Sequence, residues 1–307
     1  VITTHNVKPT AALDQSLMST IKIATSNYPI TRHNSWQDYC QHVEAWVKQA
    51  SQQGAQLLLF PEYGAMELCA LFDEKMQADV IGQIRAMQMH VEPFIALHQQ
   101  LAKHYQVTVL AASLPVLQND VFVNRAYLFL PDGTIIYQDK LTMTRFEDEY
   151  WHMAASDRIG VFDTPAGKLG ICICYDSEFP HYARQMVQLG ADIILVPSCT
   201  DTLAGYNRVR IGSRARALEN QCYVIQCPTV GDAPWVASVD TNHGAAAVYT
   251  PVDYGFPADG VLVQAKLDQP GWIFAELELD KLSEVRKTGQ VFNYRDWSKQ
   301  LRELNNG

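Results

Sequence analysis

Three residue types able to carry nucleophilic chemistry stand where apolar runs give way to polar residues. Cys174 ends the run 169–174 and meets the turn Tyr175-Asp176, and Pro180 then opens a helical pattern over 181–189. A thiol at such a strand-to-helix elbow can point into a pocket, where a base, a cation and backbone N–H donors would make it a nucleophile. Glu62 follows the apolar Leu58-Leu59-Phe60-Pro61, and desolvation at a strand end raises a carboxyl into the range of a general base. Lys140 closes Tyr137-Gln138-Asp139, a fixed cation of the kind that stabilises an oxyanion. Taken singly, each has a plainer explanation. Glu62 could solvate a strand end, Lys140 could be a surface cation after a hairpin, and Cys174 could be a core thiol. Cys172 is such a thiol, two residues earlier on the same strand face, but it has Ile on both sides whereas Cys174 meets the polar turn. The cluster Glu147-Asp148-Glu149 follows Lys140 closely enough for one carboxylate to reach it.

These groups need elements to hold them. Strand-like apolar runs recur at 21–25, 56–60, 108–113, 121–130, 134–138, 169–174, 192–196, 222–226, 245–249, 261–265 and 272–278. Helical periodicity covers 36–50, 84–104, 181–189 and 207–220. The order alternates strand and helix at first, and Pro131-Asp132-Gly133 then reads as a hairpin turn. Nearly all-apolar strands predict sheets covered by helices on one face and by a second sheet or more helices on the other. No linker, repeat or low-complexity tract divides the 307 residues. We therefore expect one domain over 20–290, an N-terminal extension at 1–19, and a polar tail at 291–307 docked through Phe292, Tyr294 and Trp297.

A net charge of −9 argues against nucleic acid and anionic membrane as partners. No run of about 20 apolar residues exists to span a bilayer, and 1–19 lacks the pattern of a secretory leader. Seven cysteines, an odd number without disulfide-like spacing, suit a reducing cytoplasm.

In order along the chain, Phe60-Pro61-Glu62, Asp139-Lys140-Leu141 and Ile173-Cys174-Tyr175-Asp176 with Phe179-Pro180 resemble the nitrilase superfamily of carbon–nitrogen hydrolases. The resemblance continues through 190–198 and 214–224 and extends over about 20–290. It implies an α/β fold, a four-layer α-β-β-α sandwich, assembled as a homodimer or larger oligomer through helices near the nucleophile. It makes Cys174 the nucleophile, Glu62 the general base, Lys140 the oxyanion stabiliser and Glu147 a second active-site carboxylate, with Glu149 in reserve. Thr142 stands where the more familiar pattern has His, and in this the chain looks most like the Rim1-like branch. The implied reaction is hydrolysis of a small amide through a cysteine thioester, with a nitrile as the alternative substrate. Lys140 between two carboxylates would stay charged and keep Cys174 more acidic than a free thiol. Tyr63, Phe146, Trp151, Tyr175, Cys199 and Thr200 lie near these segments and could line a small pocket, or simply pack around the strand ends.

Other chemistries have less behind them. Cys172-x-Cys174 with His181 is not a zinc spacing, so we expect neither metal nor cofactor. A serine hydrolase would need a Gly-x-Ser-x-Gly elbow, which is lacking. A papain-like pair with His152 or His243 is not excluded by spacing, and a binding protein that keeps the fold without turnover is the non-enzyme alternative.

Overall fold

A computed structural model describes residues 20–300. The expected extension at 1–19, and the last seven residues of the expected tail, lie outside them.

Among the described residues are fourteen strands. They are β1 (Thr20–Pro29), β2 (Leu57–Leu59), β3 (Thr108–Leu110), β4 (Leu114–Gln118), β5 (Val121–Phe129), β6 (Ile135–Asp139) and β7 (Val161–Thr164). They continue with β8 (Gly167–Ile171), β9 (Ile193–Ser198), β10 (Tyr223–Asp232), β11 (Thr241–Asn242), β12 (Ala247–Tyr249), β13 (Val261–Gln264) and β14 (Gly271–Glu278). One sheet runs β14-β1-β2-β3-β5, with β4 and β6 also paired to β5. The other runs β7-β8-β9-β10-β12-β13. They join where Tyr28 and Pro29 of β1 pair in parallel with Thr229 and Val230 of β10.

The two-residue alternation of strand side chains explains the layering. Ile21, Ile23, Leu57, Leu59, Leu110, Ala126 and Leu128 face the second sheet and pack with its Ile171, Ile193 and Leu195. Their neighbours Ala24, Leu58, Val109, Tyr127 and Phe129 face the other way, onto Tyr39, Val43 and Val47 of helix Trp36–Gln52 and Phe94 and Leu101 of helix Gln88–Tyr105. The second sheet is covered by Ala183, Met186 and Val187 of helix Pro180–Gln188 and by Val209 and Ala217 of helix Leu203–Asn220. The result is four layers, α-β-β-α.

Details differ from the periodicity. The pattern over 84–104 is two helices, Val80–Ala86 and Gln88–Tyr105, separated at Met87. The run 169–174 is a strand only as far as Ile171. Strands β4 and β7 lie outside the apolar runs. β4 carries Pro115, which lacks a ladder donor, and β7 is only partly buried. Beyond the main body, Tyr294 N–H donates to Gln221 Oε1 and its ring lies 4.4 Å below the Arg286 guanidinium.

The strand directions gather the chemistry. β2, β3, β6, β8 and β9 all point their C-terminal ends towards one side, and Glu62, Ser113, Lys140, Cys174 and Cys199 follow those ends. Open α/β sheets place ligands beyond the C-terminal ends of their strands.

Candidate active site

Cys174 opens a short 3₁₀ turn, Cys174–Glu178, with φ of 49°. A left-handed backbone at a residue with a Cβ costs roughly 1–2 kcal/mol, so the neighbours must hold it. Ser177 Oγ donates to the Cys174 carbonyl at 2.6 Å. The Asp176 carboxylate accepts from the N–H groups of Ile173 at 3.1 Å and Thr142 at 2.8 Å, and from Leu141 as well, clamping the elbow to the segment after Lys140. Arg216 Nη1 donates to the Ser177 carbonyl at 3.0 Å. Gly212 lets helix Leu203–Asn220 come this close, since a Cβ there would sit 2.9 Å from the Ser177 carbonyl oxygen. Because the backbone turns after Ile171, Cys172 and Cys174 do not share a strand face. Cys172 Sγ lies 3.7 Å from Met186 Sδ in the core, whereas the Cys174 thiol is directed at the Cys199 carbonyl, 3.8 Å away. Asp176→Asn would aim an amide donor at backbone donors. Urea unfolding should show a loss of about 1–3 kcal/mol, and an unchanged midpoint would show that the clamp is not needed.

Lys140 is the centre of the charge arrangement. Its Nζ donates to Glu62 Oε1 at 2.7 Å and to Glu147 Oε2 at 2.5 Å, with all three side chains almost fully buried. Glu147 is brought there by local structure. Thr144-Arg145-Phe146-Glu147 is a capping box for the short helix Arg145–Glu149, with Thr144 N–H donating to Glu147 Oε2 at 3.0 Å. Glu149, the reserve, instead pairs with Arg145 on the surface. Asn124 Nδ2 donates to Glu62 Oε1 at 2.9 Å and, at 3.3 Å, to Glu147 Oε1, which also accepts from the Tyr63 hydroxyl at 2.8 Å. Glu62 Oε2 accepts the Cys199 N–H at 3.0 Å.

Burial pushes both carboxyls upward, but the outcomes diverge. Glu62 ends above the ordinary carboxylate value, because burial and the neighbouring Glu147 outweigh Lys140. At Glu147, Lys140 and the hydrogen bonds from Thr144 and Tyr63 outweigh burial, and its pKa falls. Burial would discharge Lys140, yet Glu147 and Glu62 more than reverse this and hold its pKa well above the usual lysine value. The two neighbouring carboxyls are thus pushed apart, Glu62 upward and Glu147 downward. The expectation of an acidified Cys174 is overturned. Burial, and then the negative charge of Glu62, push the thiol well above its ordinary value, and Lys140 offsets this only in part. Cys174 therefore rests as a neutral thiol.

The remaining pocket residues are placed unequally. Tyr63 packs edge-on against Trp151, with ring centroids 5.2 Å apart, and Phe146 continues the aromatic group at 5.3 Å from Trp151 while half exposed. Tyr175 lies edge-on to Phe179. Thr200 Oγ1 donates to the His243 carbonyl at 2.8 Å, and His243 Nδ1 pairs with Asp268, so that imidazole is committed elsewhere. His181 pairs with Gln185 rather than with Cys172 or Cys174. Asn124, Ser113 and Asp176 were not anticipated. Ser113 Oγ takes the Tyr63 N–H at 2.9 Å and donates to Asn124 Oδ1 at 2.6 Å, so it sets the orientation of the amide. An asparagine inside the apolar run 121–130 was the available signal, since a buried amide demands partners.

A family model described as carbon-nitrogen hydrolase matches residues 22–287. The chain belongs to this family. It is 33% identical over 276 residues to the probable hydrolase YhcX of Bacillus subtilis, covering 90% of this chain but only 53% of that protein, so it spans about half the length of that relative. The deaminated glutathione amidase of Synechocystis is 29% identical, over 80% of this carbon-nitrogen hydrolase chain and 88% of its own. Among solved structures, a carbon-nitrogen hydrolase from Helicobacter pylori G27 superposes with a TM-score of 0.72 at 21% identity, covering 88% of this chain and 93% of its own. A mutant amidase from Nesterenkonia sp. AN1 in complex with acrylamide does so with 0.64 at 20%, covering 94% and 100%. Both share the fold. No helix among the described residues is long and apolar enough to cross a membrane.

Proposed function

We propose that this carbon-nitrogen hydrolase cleaves the non-peptide C–N bond of a small amide through a thioester on Cys174. The observation that carries this reading is the buried Lys140 ammonium held between Glu62 and Glu147 beside a thiol on a strained elbow. Glu62 takes the thiol proton as Sγ bonds to the carbonyl carbon, and the carbonyl π electrons move onto oxygen. That oxyanion is met by Lys140 and by the Tyr175 N–H, which the first turn of the 3₁₀ segment leaves without an intrahelical acceptor. Collapse breaks the C–N bond, and Glu62 returns its proton to the leaving nitrogen. Water then adds to the thioester, again giving its proton to Glu62, and the acid leaves as Cys174 regains its proton. Tyr63 and Cys199 act partly by holding the two carboxylates, while Trp151, Phe146, Tyr175 and Thr200 shape the acyl pocket.

Relatives named deaminated glutathione amidase and omega-amidase support an amide over a nitrile. Ammonia release from a panel of small amides, N-carbamoyl compounds and nitriles, with Cys174→Ala in parallel, tests this. Release absent from the control carries the reading, release from nitriles alone moves it to nitrilase chemistry, and silence throughout would favour a binding protein that keeps the fold.

The pH profile is a second test. Glu62 must be ionised to accept the thiol proton, so kcat/KM falls as pH drops through its pKa. Because that pKa is raised, the acidic limb should lie above the ordinary carboxylate range of about 4.3. A limb at or below that value would remove Glu62 from the role.

Seven free cysteines are consistent with a reducing cytoplasm. The helix Leu203–Asn220, packed on the elbow, exposes Leu203, Ile211 and Leu218, and we expect a homodimer or larger assembly through it. Light scattering should give at least twice the chain mass, and a monomer at micromolar concentration would refute this.

A further inference from the structure

A second polar cluster lies on the helix-facing side of the first sheet. His33, in the loop after β1, His42, on helix Trp36–Gln52, and Glu67, in the 3₁₀ segment Gly64–Leu71, converge there. One ligand-type atom from each lies within 4.8 Å of the others. His33 and Glu67 are 4% and 1% exposed, and the Nε2 atoms of both imidazoles are buried without a hydrogen-bond partner among the described residues. The His33–Glu67 separation of 3.5 Å is too long for a good hydrogen bond and does nothing for His42. Meanwhile Glu67 is a buried carboxylate whose ion pairing, among the described residues, is limited to that contact. Orphaned polar atoms and an under-compensated charge are costly, and one divalent cation would answer both.

We propose that His33, His42 and Glu67 bind a zinc-type divalent ion that braces helix Trp36–Gln52 against the Gly64–Leu71 segment. Two neutral imidazoles and a carboxylate are a known zinc donor set, with a water completing the tetrahedron. The carboxylate is already oriented, since the Tyr28 hydroxyl donates to Oε1 at 2.7 Å and the Thr31 N–H to Oε2 at 3.0 Å, the outer contacts that ligating groups require. A metal here departs from the expectation of a metal-free chain, and its site does not depend on the hydrolase reading.

The test uses the untagged full chain carrying Cys174→Ala, so that the catalytic thiol cannot capture metal. After zinc loading and dialysis, elemental analysis should find one ion per chain, and cobalt(II) substitution should give the intense visible bands of a tetrahedral site. His33→Gln and His42→Gln should each weaken zinc binding by more than the roughly 10- to 100-fold that loss of an outer contact costs. Zinc should raise the melting temperature of the parent but not of the double variant, with far-UV circular dichroism confirming that each variant is folded. Zinc well below one ion per chain, or binding that both substitutions leave unchanged, would overturn the proposal.

Discussion

Lys140→Met should abolish turnover and also destabilise the protein, by about 3–5 kcal/mol near neutral pH, as when one partner of a buried charge pair is removed. Glu62 and Glu147 would then face each other in the interior with Asn124 and Tyr63 as donors but no cation. Burial and mutual repulsion would raise both folded-state carboxyl pKa values above their unfolded ones. A group raised in the folded state contributes stability that is present below its unfolded pKa and is lost as pH climbs through the folded value. The variant should therefore become less stable from about pH 4.5 upward, relative to the parent at each pH. Chemical denaturation of both proteins at acidic and neutral pH measures this. A uniform loss at all pH values would mean that Lys140 contributes through packing rather than charge.

Cys174→Ala should do the reverse, eliminating activity while sparing the fold. Removing a covalent nucleophile costs about 10⁴-fold or more in kcat. The thiol makes one long contact, to the Cys199 carbonyl, and the elbow is held by Asp176, Ser177 and Arg216 rather than by sulfur. The stability change should stay within about 1 kcal/mol. Ammonia release and thermal melting on the same preparation check both halves. Activity near that of the parent would dismiss Cys174 as nucleophile, and a collapse in stability would recast it as a structural thiol.

Some of the site was legible because it is written locally. Glu62, Lys140 and Cys174 each stand where an apolar run ends, and the run-then-polar pattern marks a strand terminus whatever the topology. Glu147 could also have been separated from Glu149 locally, since Thr144 three residues earlier makes a capping box with Glu147 alone. Asn124 and Ser113 were hidden for the opposite reason. Asn124 occupies a strand position where a polar residue can equally face solvent, and Ser113 lies in the link between β3 and β4. Only the pairing of β5, with Asn124 opposite Pro115 of β4, turns the amide towards Glu62.

By itself the amino-acid sequence determined the apolar alternation that builds two sheets and their helical covers, and the order of the groups at the strand ends. Periodicity and strand-end chemistry depend on neighbours a few residues away. Tertiary structure alone decided the direction of the thiol pKa and the left-handed elbow, since both arise from groups far apart in the chain. Lys140 charges Cys174 favourably through sequence logic, yet burial and Glu62 win in three dimensions, because desolvation acts on every buried charge while attraction is shared among partners.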